Sequence, residues 1–198
     1  MAWDTEGTQR RLKEAATAEF AEHGPDGTTM ARIADRAGVN KERLYNYFGD
    51  KQALFHAVLA DELEKLAASV QPVAGLEDIG EFAGQTFDYH VGHPELARLL
   101  QWEGLTGVAV ADEASRTEHY RYKVARVLAA QQEGVLDDDL DAAYLMLVVI
   151  ALAAWWICVP QLARMMTGAQ ADDPKETARR RAFVVRAAER LALPVDRL

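Results

Sequence analysis

Residues 38 to 51 read GVNKERLYNYFGDK. Lys41 and Tyr45 are four apart, as are Arg43 and Tyr47, so on a helix each pair shares a face. Lysine and arginine donate to the acceptors of guanine. Tyrosine and asparagine donate to phosphate oxygens or touch thymine methyls. Glu42 either accepts from cytosine N4 or holds Lys41 or Arg43 in position. Leu44 and Phe48 alone form a face that can be buried. Solvated charge and a covered small core would account for any one of these residues. The whole set on one short helix fits the major groove of a duplex better.

That helix needs neighbours to hold it. Met30, Ile33, Ala34 and Ala37 follow the i, i+3, i+4, i+7 pattern and predict a helix over about 30–37, capped by the Thr29 hydroxyl. Gly38 supplies a left-handed ending, and Asn40 caps a third helix over about 41–47. The pair is a helix-turn-helix over about 31–50. A first helix, about 7–23, carries Leu12, Ala16 and Phe20 and stops at Gly24-Pro25-Asp26-Gly27. A fourth, about 51–69, buries Leu54, Phe55, Val58 and Leu59. Its first residue, Lys51, stands where backbone N–H groups favour a phosphate, and Thr29 stands at the equivalent end of the second helix.

Thr28-Thr29, Ile33-Ala34, Ala37-Gly38-Val39, Leu44-Tyr45-Asn46-Tyr47-Phe48, Lys51 and Ala53-Leu54 resemble the DNA-binding domain of TetR-family transcriptional regulators. The likeness covers roughly residues 10 to 57. It implies an all-α homodimer whose first three helices bind a half-site and whose fourth leads to a ligand-sensing domain. It also implies that Lys41 and Tyr45 face bases and that Thr29, Asn40, Asn46, Tyr47 and Lys51 face phosphates. Glu42 and Arg43 depart from the family, which commonly has small residues there.

Beyond Gln71-Pro72-Val73-Ala74-Gly75, a boundary by composition, helical period predicts further helices at about 76–91, 94–108, 112–133, 140–166 and 174–192, nine in all. Strand alternation is almost absent. Residues 142–163 carry no charge over 22 positions, the length of a membrane span. The Asp137, Asp138, Asp139 and Asp141 flank, the alanine content, Pro160 and Gln161 favour a helix buried in protein instead. In TetR-like proteins the penultimate helix serves both the ligand cavity and the dimer interface. The last helix sets Ala178, Ala182, Val185, Ala188 and Leu191, with Phe183 beside them, opposite five arginines. That is a close-packing stripe suited to a four-helix dimer interface.

Apolar walls with a few polar groups make small-molecule cavities. The candidates here are His90, Trp102, Glu103, Tyr120, Tyr122, Trp155, Trp156 and Cys158. Trp102 and at least one of Trp155 and Trp156 are expected to line the pocket, and because the latter two point about 100° apart they cannot both face it equally. The pocket is expected between the uncharged helix and the helices at 94–108 and 112–133. His90 and His93 straddle a helix end at Pro94 without a third ligand, so no metal site is read there. No nucleophile–base set, Gly-rich phosphate loop or metal motif supports catalysis, and no cofactor is implied.

Net charge is −9, and the first 70 residues carry 9 Lys+Arg against 12 Asp+Glu. That balance weighs against nonspecific coating of DNA and says little about a few placed contacts. One cysteine and an N-terminus without signal-peptide order fit a reducing cytosol. The expected protein is all-α, with residues 1–52 as DNA-binding domain and 53–198 as a helical sensing and dimerisation domain. It reads as a cytoplasmic, homodimeric repressor, released from a pseudo-palindromic double-stranded DNA operator by a small-molecule effector. A ligand-independent architectural DNA-binding factor is the alternative, and a membrane-attached helical protein the more remote one.

Overall fold

The computed structural model describes residues 5–71, 73, 76–107, 110, 112–170 and 173–194. Pro72, Ala74 and Gly75 of the expected boundary lie outside them. Ten helices and no strand occur among the described residues: α1 Thr5–Gly27, α2 Met30–Ala37, α3 Lys41–Phe48, α4 Lys51–Ser69, α5 Leu76–Gly92, α6 Pro94–Thr106, α7 Glu113–Gln132, α8 Ala142–Cys158, α9 Pro160–Thr167 and α10 Pro174–Ala192.

The helices form two compact units, one of residues 1–65 with 94–113 and the other of 66–93 with 114–198. The division therefore departs from a simple cut after residue 52. It falls inside α4, and α6, remote in sequence, joins the first unit.

In the first unit α1 packs on α2 and α6. Leu12, Phe20, Ile33, Leu44, Leu54 and Phe55 are fully buried, and the Phe20 and Phe55 rings meet edge to face at 5.2 Å. The Gly24-Pro25 signal interrupts α1 as a kink: Gly24 has φ 72° and ψ 170°. A Cβ there would lie 2.8 Å from the Trp102 ring of α6. Glycine thus meets both the left-handed φ and the flat approach of an indole.

In the second unit α5 packs on α8 and α10 around Ile79, Phe82, Phe87, Met146, Val149 and Val184. Gly80 and Gly84 bring α10 close. A Cβ at Gly84 would meet Arg181 at 2.9 Å and Val185 at 3.0 Å. Arg181 binds Asp88 at 2.6 Å and Glu81 at 3.1 Å across the same seam.

The single helix expected over 140–166 is two helices. Pro160 has no N–H to donate and forces the preceding residue out of the helical region. Val159 sits at φ −133°, ψ 61°, and α8 and α9 meet at an 86° bend. Among the described residues no single helix is long and apolar enough to cross a membrane. The start of α8 is as charge predicts: Asp141 Oδ1 accepts from the Ala143 and Tyr144 amides at 2.9 and 3.1 Å.

α8 buries Leu145, Met146, Val149 and Ala153 but leaves Tyr144, Leu147 and Trp155 exposed. On α10 the inward row is Arg180, Val184, Ala188 and Ala192, while Ala178, Ala182, Phe183 and Leu191 face out. Arg180, one of the five arginines set opposite the expected stripe, is buried. It pairs with Glu176 at 3.2 Å and lies 5.4 Å from the Trp156 ring centre.

Candidate nucleic-acid interface and sensing cavity

The reading head is built by caps. Thr29 Oγ1 accepts from the Arg32 amide at 3.2 Å. Gly38, at φ 64°, donates to the Asp35 carbonyl at 3.1 Å. Asn40 Oδ1 accepts from the Glu42 amide at 2.8 Å, and Asp50 Oδ1 from the Ala53 amide at 2.8 Å. Each satisfies an orphan donor or acceptor at a helix end, so the loops flanking α3 are fixed by the side chains that also edge its outer face.

With Leu44 wholly buried, the rest of α3 is forced outward. Lys41, Glu42, Tyr45 and Asn46 are exposed, as are Thr29 and Asn40, while Arg43, Tyr47 and Lys51 are half-buried. Lys41 Nζ lies 5.6 Å from the Tyr45 ring centre, so the two share one face. Tyr47 packs edge-on against Phe48 at 6.3 Å. Lys51 Nζ donates to the Thr28 carbonyl at 3.3 Å and stands 3.9 Å from Asp26. Those bonds hold it beside the α2 N-terminus. Glu42 occupies the first turn of α3, where the helix dipole favours a carboxylate.

One residue of this region escaped sequence reasoning. Glu19 is buried on the inner face of α1 and accepts from Thr28 Oγ1 at 2.7 Å and from Arg36 at 3.1 Å, with Arg32 at 3.2 Å. Burial opposes its charge, but the Thr28 and Arg36 hydrogen bonds and the Arg32 and His23 charges outweigh it, and the carboxyl lies below its ordinary range. The group ties α2 to α1. The signal was a carboxylate at i+7 from Leu12, on the apolar stripe itself.

The expected sensing residues are scattered. Trp102 and Glu103 belong to the first unit, the others to the second. His90 is buried, its Nδ1 without a hydrogen-bond partner. Burial and the nearby His93 push its pKa down to about 4. Trp155 is exposed, and Trp156 meets Phe183 edge to face at 6.2 Å. Tyr120 is exposed. Cys158 is half-buried, and burial pushes its thiol up.

A cavity of about 180 Å³ lies within the second unit. Its apolar wall includes Val70, Val73, Phe82 and Met146, and α7 contributes His119, Tyr122, Lys123 and Arg126. Of the residues expected to line a pocket, Tyr122 lines this one. Lys123 Nζ stands 5.1 Å from the Phe82 ring centre and 5.8 Å from that of Tyr120. Arg126 Nε donates to the Val73 carbonyl at 3.1 Å.

Comparison with known proteins agrees with both halves. Residues 12–58 match the family described as bacterial regulatory proteins, tetR family. Residues 78–190 match the tetracyclin repressor-like C-terminal domain. The HTH-type transcriptional repressor SCO4008 of Streptomyces coelicolor is 45% identical over 84% of this chain and 87% of its own length. The crystal structure of the S. coelicolor transcriptional regulator SCO4942 superposes with a TM-score of 0.80 at 33% identity, covering 93% of this chain and 98% of that one. Salmonella enterica GusR shares the fold, with a TM-score of 0.72 at 19% identity over 96% and 98% of the two chains. Two matched domains, and relatives this similar over this length, make the chain a member of the TetR family of bacterial transcriptional regulators.

Proposed function

We propose that the chain is a homodimeric repressor that holds a pseudo-palindromic operator and lets it go when a small molecule binds. The observation that carries the reading is the outer face of α3, where a buried Leu44 and two capped ends leave Lys41, Tyr45 and Asn46 free for a groove. Lys41 and Tyr45 serve as base contacts. Thr29, Asn40, Asn46, Tyr47 and Lys51 serve as phosphate contacts, and Arg43 and Glu42 as the next candidates for base reading. SCO4008, named a repressor, supports the sign of regulation.

The dimer is supported by apolar surface that one chain leaves uncovered. Tyr144, Leu147 and Trp155 on α8 and Phe183 on α10 are all more than half exposed. An uncovered apolar face of this kind is what an isologous partner buries. The cavity supports effector sensing. To release DNA, the effector must bind the released conformation more tightly than the DNA-bound one.

The test is selection of bound duplexes from a random pool. A repressor of this design enriches an inverted repeat with half-sites about one helical turn apart or a multiple of it. Enrichment of a single unrepeated site, or of no sequence, would count against the reading.

A further inference from the structure

We propose that the cavity of the second unit takes a small organic anion, a single-ring aromatic carboxylate, whose carboxylate is received by Lys123 Nζ. This rests on the effector-sensing reading above and names the chemistry of the effector. Among the described residues, every ionisable side chain lining the cavity, the Tyr122 phenol aside, is a base: His119, Lys123 and Arg126. No carboxylate is among these described lining residues, in a chain with 31 acidic residues against 22 basic ones. Arg126 is committed through Nε to the Val73 carbonyl. Lys123 is different. Among the described residues it has no carboxylate within ion-pair distance, and the aromatic faces of Phe82 and Tyr120 are its neighbours.

An ammonium removed from water without an anionic partner is costly. Ring faces return only part of that cost. Burial accordingly pushes the Lys123 pKa down. An incoming carboxylate supplies the missing charge and hydrogen-bond acceptors, while a neutral or cationic guest does not. The rest of the wall, Val70, Val73, Phe82 and Met146, fits an apolar body. The volume, about 180 Å³, slightly exceeds the roughly 150 Å³ of an apolar cavity that admits benzene. The guest is therefore of the size of one ring with a small substituent.

The test uses three probes of one planar shape on the purified full chain: benzoate, benzamide and benzamidine, carrying negative, zero and positive charge. Titration calorimetry should show benzoate binding about tenfold or more tightly than benzamide, as a charge-assisted hydrogen bond requires, with benzamidine weakest. In Lys123→Met, which is unbranched, apolar and one side-chain atom shorter, the advantage of benzoate over benzamide should fall below about twofold. Lys123→Arg should keep it. Thermal unfolding checks that both variants fold. If Lys123→Met does not, the wild-type series and Lys123→Arg still decide. Equal or tighter binding of benzamidine, no binding of any probe, or a benzoate preference that survives in folded Lys123→Met would each overturn the assignment.

A parallel titration with the selected operator separates this inference from the one beneath it. Lys123-dependent benzoate binding that leaves operator affinity unchanged keeps the anion site and removes the sensing role. Operator release by benzamidine and not by benzoate keeps sensing and removes the anion assignment.

Discussion

Lys51, proposed above as a phosphate contact, is held in place by its neighbours. Its ammonium is held by the Thr28 carbonyl, beside the N-terminus of α2, where N–H groups also point outward. Phosphates carry no sequence, so Lys51→Ala should weaken binding to all DNA alike. It should also flatten the log–log salt dependence by roughly one for each phosphate no longer neutralised, about two per dimer. Titrations across a salt series read this directly, and an unchanged slope would show that Lys51 touches no phosphate. His90 sets a pH dependence of stability. Above its ordinary value of 6.5 both folded and unfolded states are neutral. As pH falls below 6.5 the unfolded chain takes a proton that the folded one, at about 4, refuses. Stability is therefore lost between about pH 6.5 and 4, by about 3 kcal/mol in full. His90→Leu should remove that part of the loss in denaturant titrations at pH 7 and pH 5; an undiminished loss would assign the acid sensitivity elsewhere. At this scale the outward residues of α3 were legible, because Leu44 and the two caps leave them no other direction. Glu19 was not: the periodic pattern marks its position as inward, and only the structure shows Thr28, Arg32 and Arg36 converging on it.

Helices were legible wherever a side chain or a glycine punctuates them. Thr29, Gly38 and Asn40 set the ends of α2 and α3, and the cap geometry is local in sequence. The break between α8 and α9 was written in Pro160 but masked by the unbroken apolar run around it. Hydropathy says nothing about backbone geometry, whereas the proline ring does. The grouping of α6 with α1 was not legible, since it depends on the Trp102 ring lying on Gly24, a contact between residues far apart in the chain. That contact makes a prediction. Gly24→Ala forces a left-handed φ, worth about 1–2 kcal/mol, and also a clash with the indole, so it should lower the unfolding midpoint more than the φ cost alone. The seam of α5 and α10 makes another. Gly84→Val drives a branched side chain into Arg181 and Val185 and should destabilise the second unit by about 1–3 kcal/mol. In either case denaturant unfolding is the measurement, and a wild-type midpoint would show that the neighbouring side chain moves aside freely.

For the whole molecule, the inverted-repeat operator proposed above calls for two chains. An apolar face carrying Tyr144, Leu147, Trp155 and Phe183 should bury itself against its own copy, so sedimentation at micromolar concentration should give about twice the 21.9 kDa chain mass. Leu147→Glu with Trp155→Glu should give the chain mass and lose operator affinity without unfolding α8. A wild-type monomer would remove the case for a palindrome. An acidic chain at −9 binds DNA specifically only if a few placed residues outweigh its background charge, and that is the central claim. The most direct test compares the base preferences of the wild type and Lys41→Ala in one random-pool selection. Both should enrich an inverted repeat, with preference relaxed at one base pair per half-site in Lys41→Ala, worth about 1–3 kcal/mol each. A Lys41→Ala profile identical to the wild type at every position would contradict it.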